Sequence, residues 1–259
     1  MNRFTQILNI HIHRITAKEL LRQLDSGIMF TPNVDHLVKL QHDADLYNAY
    51  MQAEWVVCDS RILYGASKLL NRPIPEPIPG SSFFEAYCEN HQKDPDCRIF
   101  LLGAKEGVAA EAMRRINMRA GRSLVVDAHS PSFIVERDET ECEEIIKRIN
   151  VSGATVLVVG LGCPKQEKWI AKYRRKMPSI RLFMALGATL DFEAGVLRRA
   201  PHSWQRFGLE WFYRFLKEPR RLFRRYFVED MTFFWYFGKQ LMGKYHNPWE
   251  NETSEPFGK

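Results

Sequence analysis

Cysteine is scarce in this chain of 259 residues: Cys58, Cys88, Cys97, Cys142 and Cys163 are widely scattered, odd in number and free of any C-x-x-C pair. That spacing argues against a disulfide framework or a zinc site and for a reducing, cytosolic setting. Long apolar runs are missing too. No uncharged apolar stretch approaches the roughly 18 residues that cross a bilayer, and the start, MNRFTQILNIHIHRI, lacks the apolar core of a signal peptide. No repeat of roughly 20 to 50 residues is visible. A complete G-x-G-x-x-G is absent at both Gly103 and Gly160, which weakens a dinucleotide-binding reading.

What is there suffices for a sizeable core, with 45% hydrophobic residues, and fits one large domain or one domain with an appendage. The net charge of +6 is unevenly spread. Residues 1–197 hold 25 Lys/Arg against 24 Asp/Glu, whereas residues 198–259 hold 12 against 7. Aromatics gather there as well, with 14 of 32 between Trp204 and Phe237. Such a segment suits anionic lipid, nucleic acid or an acidic partner.

The stretch TVLVVGLGCPKQE, residues 155–167, is the chemical centre of the chain. Val156 to Val159 is β-branched and apolar on both faces, which predicts a buried parallel strand. Gly160 and Gly162 permit a tight turn, and Pro164 suits the start of a helix running to about Lys176. Strand, glycine turn and helix N-terminus together offer backbone N–H groups to a phosphate. An ordinary structural turn is the competing reading; the polar trio Lys165, Gln166 and Glu167 in the first turn favours a site.

Along the rest of the chain, Ile7 to Ile15 alternates as a half-buried strand, and Ala17 to Leu24 reads as a helix. His11 and His13 share a face of that strand, with no third ligand in view to make them a metal pair. Ile28 to Phe30 is a strand leading into TPNVDHL, where Thr31 and Asn33 stand at a strand end. Asn33 or Asp35 caps the following helix, and for Asn33 a bond to a sugar or phosphate is the other role; both stay open. Trp55 to Cys58 ends at Asp59, ahead of a helix from Ser60 to Leu70. A carboxylate at the C-terminal end of a parallel strand stands where open sheets bind ligands, and is a simple general base; Asp59 could equally cap the helix. NRPIPEPIPG, residues 71–80, has four prolines and predicts a stiff loop near the site. Ser82 to Glu85 resembles a capping box for a helix to about His91. Strands at 98–102, 123–126 and 182–186 alternate with helices at 105–119 and 139–150, ahead of GATLDFEAG. The pattern predicts an α/β fold with a Rossmann-like, mostly parallel sheet covered by helices on both faces.

After Leu197 the chain changes character. Arg198, Arg199, Arg206, Arg214, Lys217, Arg220, Arg221, Arg224 and Arg225 alternate with aromatics at helical spacing, and Pro219 divides two helices. We expect an α/β domain over 1–197, a basic, aromatic-rich helical appendage over 198–245 and a disordered tail over 246–259. The appendage packs on the body or lies on a membrane, where arginine forks would hold a diphosphate.

GLGCPKQEKWI, GATLDFEAGVLRRAP and GLEWFYRFLKEPRRLFRRY, in that order and spacing, closely resemble the WecG/TagA/CpsF glycosyltransferases (glycosyltransferase family 26); TPNVDHL and VVCDS match earlier motifs of the family. The resemblance covers roughly residues 5–230. It implies a bacterial enzyme that moves a sugar from a UDP-sugar to a polyprenyl-diphosphate-linked saccharide in cell-surface polysaccharide synthesis, with inversion and no obligatory metal or other cofactor. It implies a cytoplasmic protein held peripherally on the anionic inner face of the cell membrane, without a nucleic-acid partner; homo-oligomers stay open. By position, it makes Asp59 the catalytic base and puts Thr31, Asn33, Gly162 and Gln166 around the donor and Asp191 near the nucleotide. Arg214, Arg221 and Arg224 would meet the acceptor diphosphate. This chain departs at Ser60, where many members have glycine, and in the R-x-x-G-x-D motif, where it has Pro77 and Ser82 in place of the two charges. Two other readings are a nicotinamide-dependent oxidoreductase, from LLGAKEG and Asp127 at the next strand end, and a nucleic-acid-binding module, from the basic tail.

Overall fold

The computed structural model describes residues 3–197 and 231–250. The chain opens with a hairpin, β1 (Phe4–Ile7) and β2 (Ile10–His13), with Ile7 opposite Ile10. The single strand expected over Ile7–Ile15 is therefore two. Leu8, at the turn, has φ 52 and is fully buried, and its N–H donates to Gln240 Oε1 at 2.9 Å. A distant anchor thus imposes a turn that leucine does not favour. His11 is exposed, and His13 Nδ1 lies 3.2 Å from the backbone of Val56, so this pair ties the hairpin to the body.

The main sheet has six parallel strands: β3 (Gly27–Phe30), β4 (Trp55–Val56), β5 (Ile99–Gly103), β6 (Val125–His129), β7 (Val156–Gly160) and β8 (Leu182–Ala185). Their spatial order is β4-β3-β8-β7-β5-β6. Nine helices among the described residues precede the tail: α1 (Ala17–Gln23), α2 (Val34–Lys39), α3 (Ala44–Met51), α4 (Arg61–Leu69), α5 (Gly80–Asn90), α6 (Val108–Ala120), α7 (Glu139–Ser152), α8 (Lys165–Tyr173) and α9 (Thr189–Glu193). The expected α/β architecture is what the chain adopts. Strand residues alternate between two cores. Phe100, Leu102, Leu157 and Val159 pack with Leu37, Leu46, Ile145 and Trp169 on one face. Ile99, Leu101, Val156 and Val158 pack with Phe83, Phe84, Ala109 and Leu190 on the other. Each large side chain buried this way contributes about 1.5–3 kcal/mol, which is why strands apolar on both faces sit centrally.

Some local expectations shift. α1 carries a full capping box, Thr16 with Glu19. The proposed box at Ser82 and Glu85 is not the start of α5, which begins two residues earlier at Gly80, after Pro79 and without a side-chain cap. The cap of α4 is Ser60, not Asp59: Ser60 Oγ accepts the N–H groups of Ile62 and Leu63. α3 occupies a segment to which the sequence reading assigned nothing, with Asp43 as its cap.

The last helix among the described residues is α10 (Met231–Leu241). Phe233 and Phe237 join the core on the α2 side, and Gln240 Nε2 donates to the carbonyl of Gln6. Docking continues past residue 245: Asn247 Nδ2 donates to the Tyr47 hydroxyl and Trp249 Nε1 to the Leu40 carbonyl at 2.8 Å. Among the described residues no helix is long and apolar enough to cross a membrane.

Candidate active site

In an open parallel sheet, ligands sit beyond the C-terminal ends of the strands, where neighbouring strands send their connections to opposite faces. β3 and β8 are such a pair. β3 leads into α2, whose Leu37 packs in the first core, and β8 leads into α9, whose Leu190 packs in the second. The residues that follow β4, β3, β8 and β7 are those singled out from sequence. Phe30 is level with Val56 and Ala185, and Ala185 with Val159, so the four strand ends open at one height.

Thr31 follows β3. It is buried, and its hydroxyl donates to the Ala185 carbonyl at 3.3 Å, across the point where β3 meets β8. Asn33 is half-buried and caps α2, its Oδ1 accepting the His36 N–H at 3.4 Å. Capping is thus established, and the amide nitrogen is not part of that bond. Asp59 follows β4 and is half-buried; its backbone N–H donates to the Pro32 carbonyl at 3.2 Å, which ties it to the Thr31–Asn33 turn. Burial, with the Asp59 charge adding to it, pushes the neighbouring Cys58 thiol up to about 12. Cys58 is therefore a core thiol rather than a nucleophile.

The proline-rich loop borders this group as expected. Ile78 donates to the Cys58 carbonyl at 2.6 Å, and Ile74 and Ile78 anchor the loop in the core. At Gly80 a Cβ would come within 3.2 Å of Leu186 and 3.6 Å of the Thr31 hydroxyl, so the first turn of α5 approaches the site closely.

The turn after β7 forms the opposite wall. Gly162 has φ 78, a conformation in which a side chain is strained. Gly160 is there for a different reason: a Cβ would lie 2.7 Å from the Gly187 carbonyl oxygen. Gln166 holds this wall together. It is buried, its Oε1 accepts the N–H groups of Gly162 (3.2 Å) and Gly187 (3.1 Å), and its Nε2 donates to Glu167 Oε1 at 2.8 Å. One amide thus pins the turns after β7 and β8 to each other. Asp191 lies in α9, half-buried, and its carbonyl accepts the N–H groups of Val196 and Leu197. Lys165 points away from Gln166. Its ammonium donates to the Phe133 carbonyl at 2.8 Å and pairs with Glu136 at 2.9 Å.

Glu167 is the residue whose importance the sequence reading missed. It is fully buried, and its Oε2 accepts no hydrogen bond. Burial pushes its carboxyl up to about 7, against the opposing pull of Gln166, its own backbone N–H, the Cys163 thiol and Lys39. His36 Nδ1 lies 3.8 Å from Glu167 Oε1 and 2.7 Å from the Tyr50 hydroxyl. Burial, together with the charges of Glu167, Cys163, Asp35 and Asp59, raises the Tyr50 phenol. A buried polar group therefore underlies the cleft. A stripe at 166, 169, 170 and 173 was visible in the sequence and would have turned this face of α8 inward.

At the other end of the sheet, Asp127 is not a vacant ribose acceptor. Arg148 grips it with Nε and Nη2, each at 2.7 Å, and this holds the Asp127 carboxyl below its usual value. Arg214, Arg221 and Arg224 lie outside the described residues.

An open parallel sheet with converging polar residues at its switch point defines a ligand-binding α/β protein. Residues 5–247 match the model of the Glycosyl transferase WecG/TagA/CpsF family, and the chain belongs to that family.

Proposed function

We propose that the chain transfers a sugar from a UDP-sugar to a polyprenyl-diphosphate-linked saccharide, with inversion, at the inner face of the bacterial membrane. The observation that carries this reading is the convergence of Asp59, Thr31, Asn33 and the Gly162 turn at three of four adjacent strand ends. Asp59 takes the proton of the acceptor hydroxyl as its oxygen attacks the anomeric carbon, and UDP leaves from the opposite side. Thr31 and the Asn33 amide hold the sugar and phosphates. Backbone N–H groups beyond Gly162 meet the charge that grows on the leaving UDP, so this step needs no metal. Gln166 acts on the donor through the two turns it joins, and Asp191 borders the nucleotide. Arg214, Arg221 and Arg224 receive the acceptor diphosphate, by resemblance alone. Pro77 and Ser82, which replace the charges of R-x-x-G-x-D, favour a neutral hexose as the donor sugar.

The membrane part of the reading draws on α10. While Phe233 and Phe237 pack inward, Met231, Phe234, Trp235, Leu241 and Met242 are exposed on the same short segment, with Lys239 over the Trp235 ring. An apolar face flanked by lysines suits an anionic lipid surface.

The deciding experiment incubates purified protein with a panel of UDP-sugars and a short-chain polyprenyl-diphosphate saccharide, and measures UDP release and product linkage. We expect one UDP-hexose to be consumed with inversion. No UDP release with any donor, or release without a glycosylated lipid product, would overturn the reading.

A further inference from the structure

We propose that His36, Cys163 and Glu167 form a binding site for a thiophilic divalent cation of the zinc type, which clamps α2 to the turn before α8. One ligand atom from each residue falls within 4.8 Å of the other two. The three come from segments distant in sequence: His36 from α2, Cys163 from the turn after β7, and Glu167 from α8. This runs against the expectation from the scattered cysteines, which argues against a zinc site, because the fold and not the spacing brings these three together.

Two observations point independently to a ligand. The first is the donor set itself, one imidazole nitrogen, one sulfur and one carboxylate oxygen. Magnesium and calcium take all-oxygen surroundings, whereas zinc accepts this mixture and binds three protein ligands with a fourth position open. The second is Glu167 Oε2, an oxygen on a fully buried side chain that no hydrogen bond satisfies. Buried carboxylate oxygens without partners are costly, and a cation would satisfy this one.

The surroundings suit such an ion. The Tyr50 hydroxyl, 2.7 Å from His36 Nδ1, and Gln166 Nε2, 2.8 Å from Glu167 Oε1, are the outer hydrogen bonds that orient metal ligands. Lys39 stands nearby, donating to the Cys163 carbonyl at 3.1 Å, but its charge is matched by Asp35 at 2.9 Å. Zinc bonds of about 2.0–2.3 Å set tetrahedral ligand atoms roughly 3.3–3.8 Å apart. The three ligand atoms here lie within 4.8 Å of one another, so closing the set asks for a movement of about 1 Å. Binding releases the thiol proton of Cys163, and that of Glu167 where its carboxyl is protonated. The ion takes no part in glycosyl transfer. It would fix the wall bearing Asn33 against the wall bearing Gly162, and the inference does not rest on the transferase reading.

The test uses the full-length protein stripped with chelator and titrated with Co²⁺ as a spectroscopic stand-in for Zn²⁺. We expect one equivalent to bring up a thiolate-to-cobalt charge-transfer band with tetrahedral visible bands, reversed by Zn²⁺ and not by Mg²⁺. Zn²⁺, and not Mg²⁺, should raise the unfolding temperature. Loss of a ligand in Cys163→Ala or His36→Gln should weaken cobalt binding by at least the ~10–100-fold typical of an outer-shell change. Absence of the thiolate band in the wild-type protein overturns the proposal whether or not the variants fold. A band that persists unchanged in folded Cys163→Ala, or equal stabilisation by Mg²⁺, overturns it as well.

Discussion

β5 and β7 lie side by side with Gly103 level with Gly160, and each runs through glycine into a helix. Beyond β5 the strand-end groups are consumed by the protein itself. Ser130 donates to the carbonyls of Gly103 and Lys105, Ala104 donates to the Gly160 carbonyl, and Arg148 neutralises Asp127. Beyond β7, Gly162 is backed by a buried amide, a buried carboxylate with an unsatisfied oxygen, and a polar cluster reaching towards Asp59. A glycine turn is thus only a permissive geometry. Polar groups buried behind it, at a burial cost that the fold must offset, distinguish a site from a corner.

The largest test of this contrast sets Asp59→Asn against Asp127→Asn. Loss of a general base lowers turnover by ~10²–10⁴-fold, with the affinity for the nucleotide sugar unchanged. Asp127→Asn, at the consumed end, should leave turnover within about twofold of wild type, because Asp127 stands on the edge strand β6 and is taken up by Arg148. Single-turnover rates and donor titration on both variants decide it. Equal losses would erase the distinction between the two ends.

Gln166→Leu comes next. It keeps most of the volume but removes the oxygen shared by two half-buried N–H groups and the donor to the buried Glu167, and orphaned polar groups cost about 1–3 kcal/mol. Urea unfolding should show that loss, and the donor KM should rise more than kcat falls, since the turns after β7 and β8 would separate. A donor KM equal to that of wild type would assign Gln166 to stability alone.

Gly160 and Gly162 separate two reasons for glycine. Gly160→Ala puts a methyl 2.7 Å from the Gly187 oxygen, overpacking that costs about 1–3 kcal/mol. Gly162→Ala meets nothing within 4 Å and costs about 1–2 kcal/mol through φ 78 alone. Asparagine tolerates that conformation, so Gly162→Asn should recover much of the loss in a thermal unfolding series. At Gly160 asparagine should recover none.

How far the sequence reached depends on whether the cause was local. VLVV ahead of glycine reads as a buried strand, Asn33 before an apolar-periodic run is a candidate cap, and four prolines in ten residues cannot be regular. All of these follow from neighbours along the chain. The turn at Leu8 follows from Gln240, the pairing of Asp127 from Arg148, and the burial of Glu167 from His36 and Cys163. An acid in the first turn of a helix is normally a solvated partner of the dipole, and local spacing does not set Glu167 apart from Lys165 and Gln166 beside it. The same limit made Asp127 resemble a ribose-binding acid.

The smallest expected effect lies at the consumed end and concerns pH. Arg148→Ala removes a two-pronged pair whose guanidinium is half exposed, and such screened pairs are worth ~0.2–1 kcal/mol. Because Arg148 lowers the Asp127 carboxyl in the folded protein, this contribution is present above the usual aspartate value of about 3.9 and is lost as pH falls through the lowered one. Wild type should therefore exceed Arg148→Ala in unfolding free energy at neutral pH, by less in high salt, and the two should converge in acid. Donor affinity should be the same in both. A weaker donor in Arg148→Ala would mean that the β5–β6 end communicates with the cleft after all, and the contrast between the two glycine turns would have to be redrawn around Asp127.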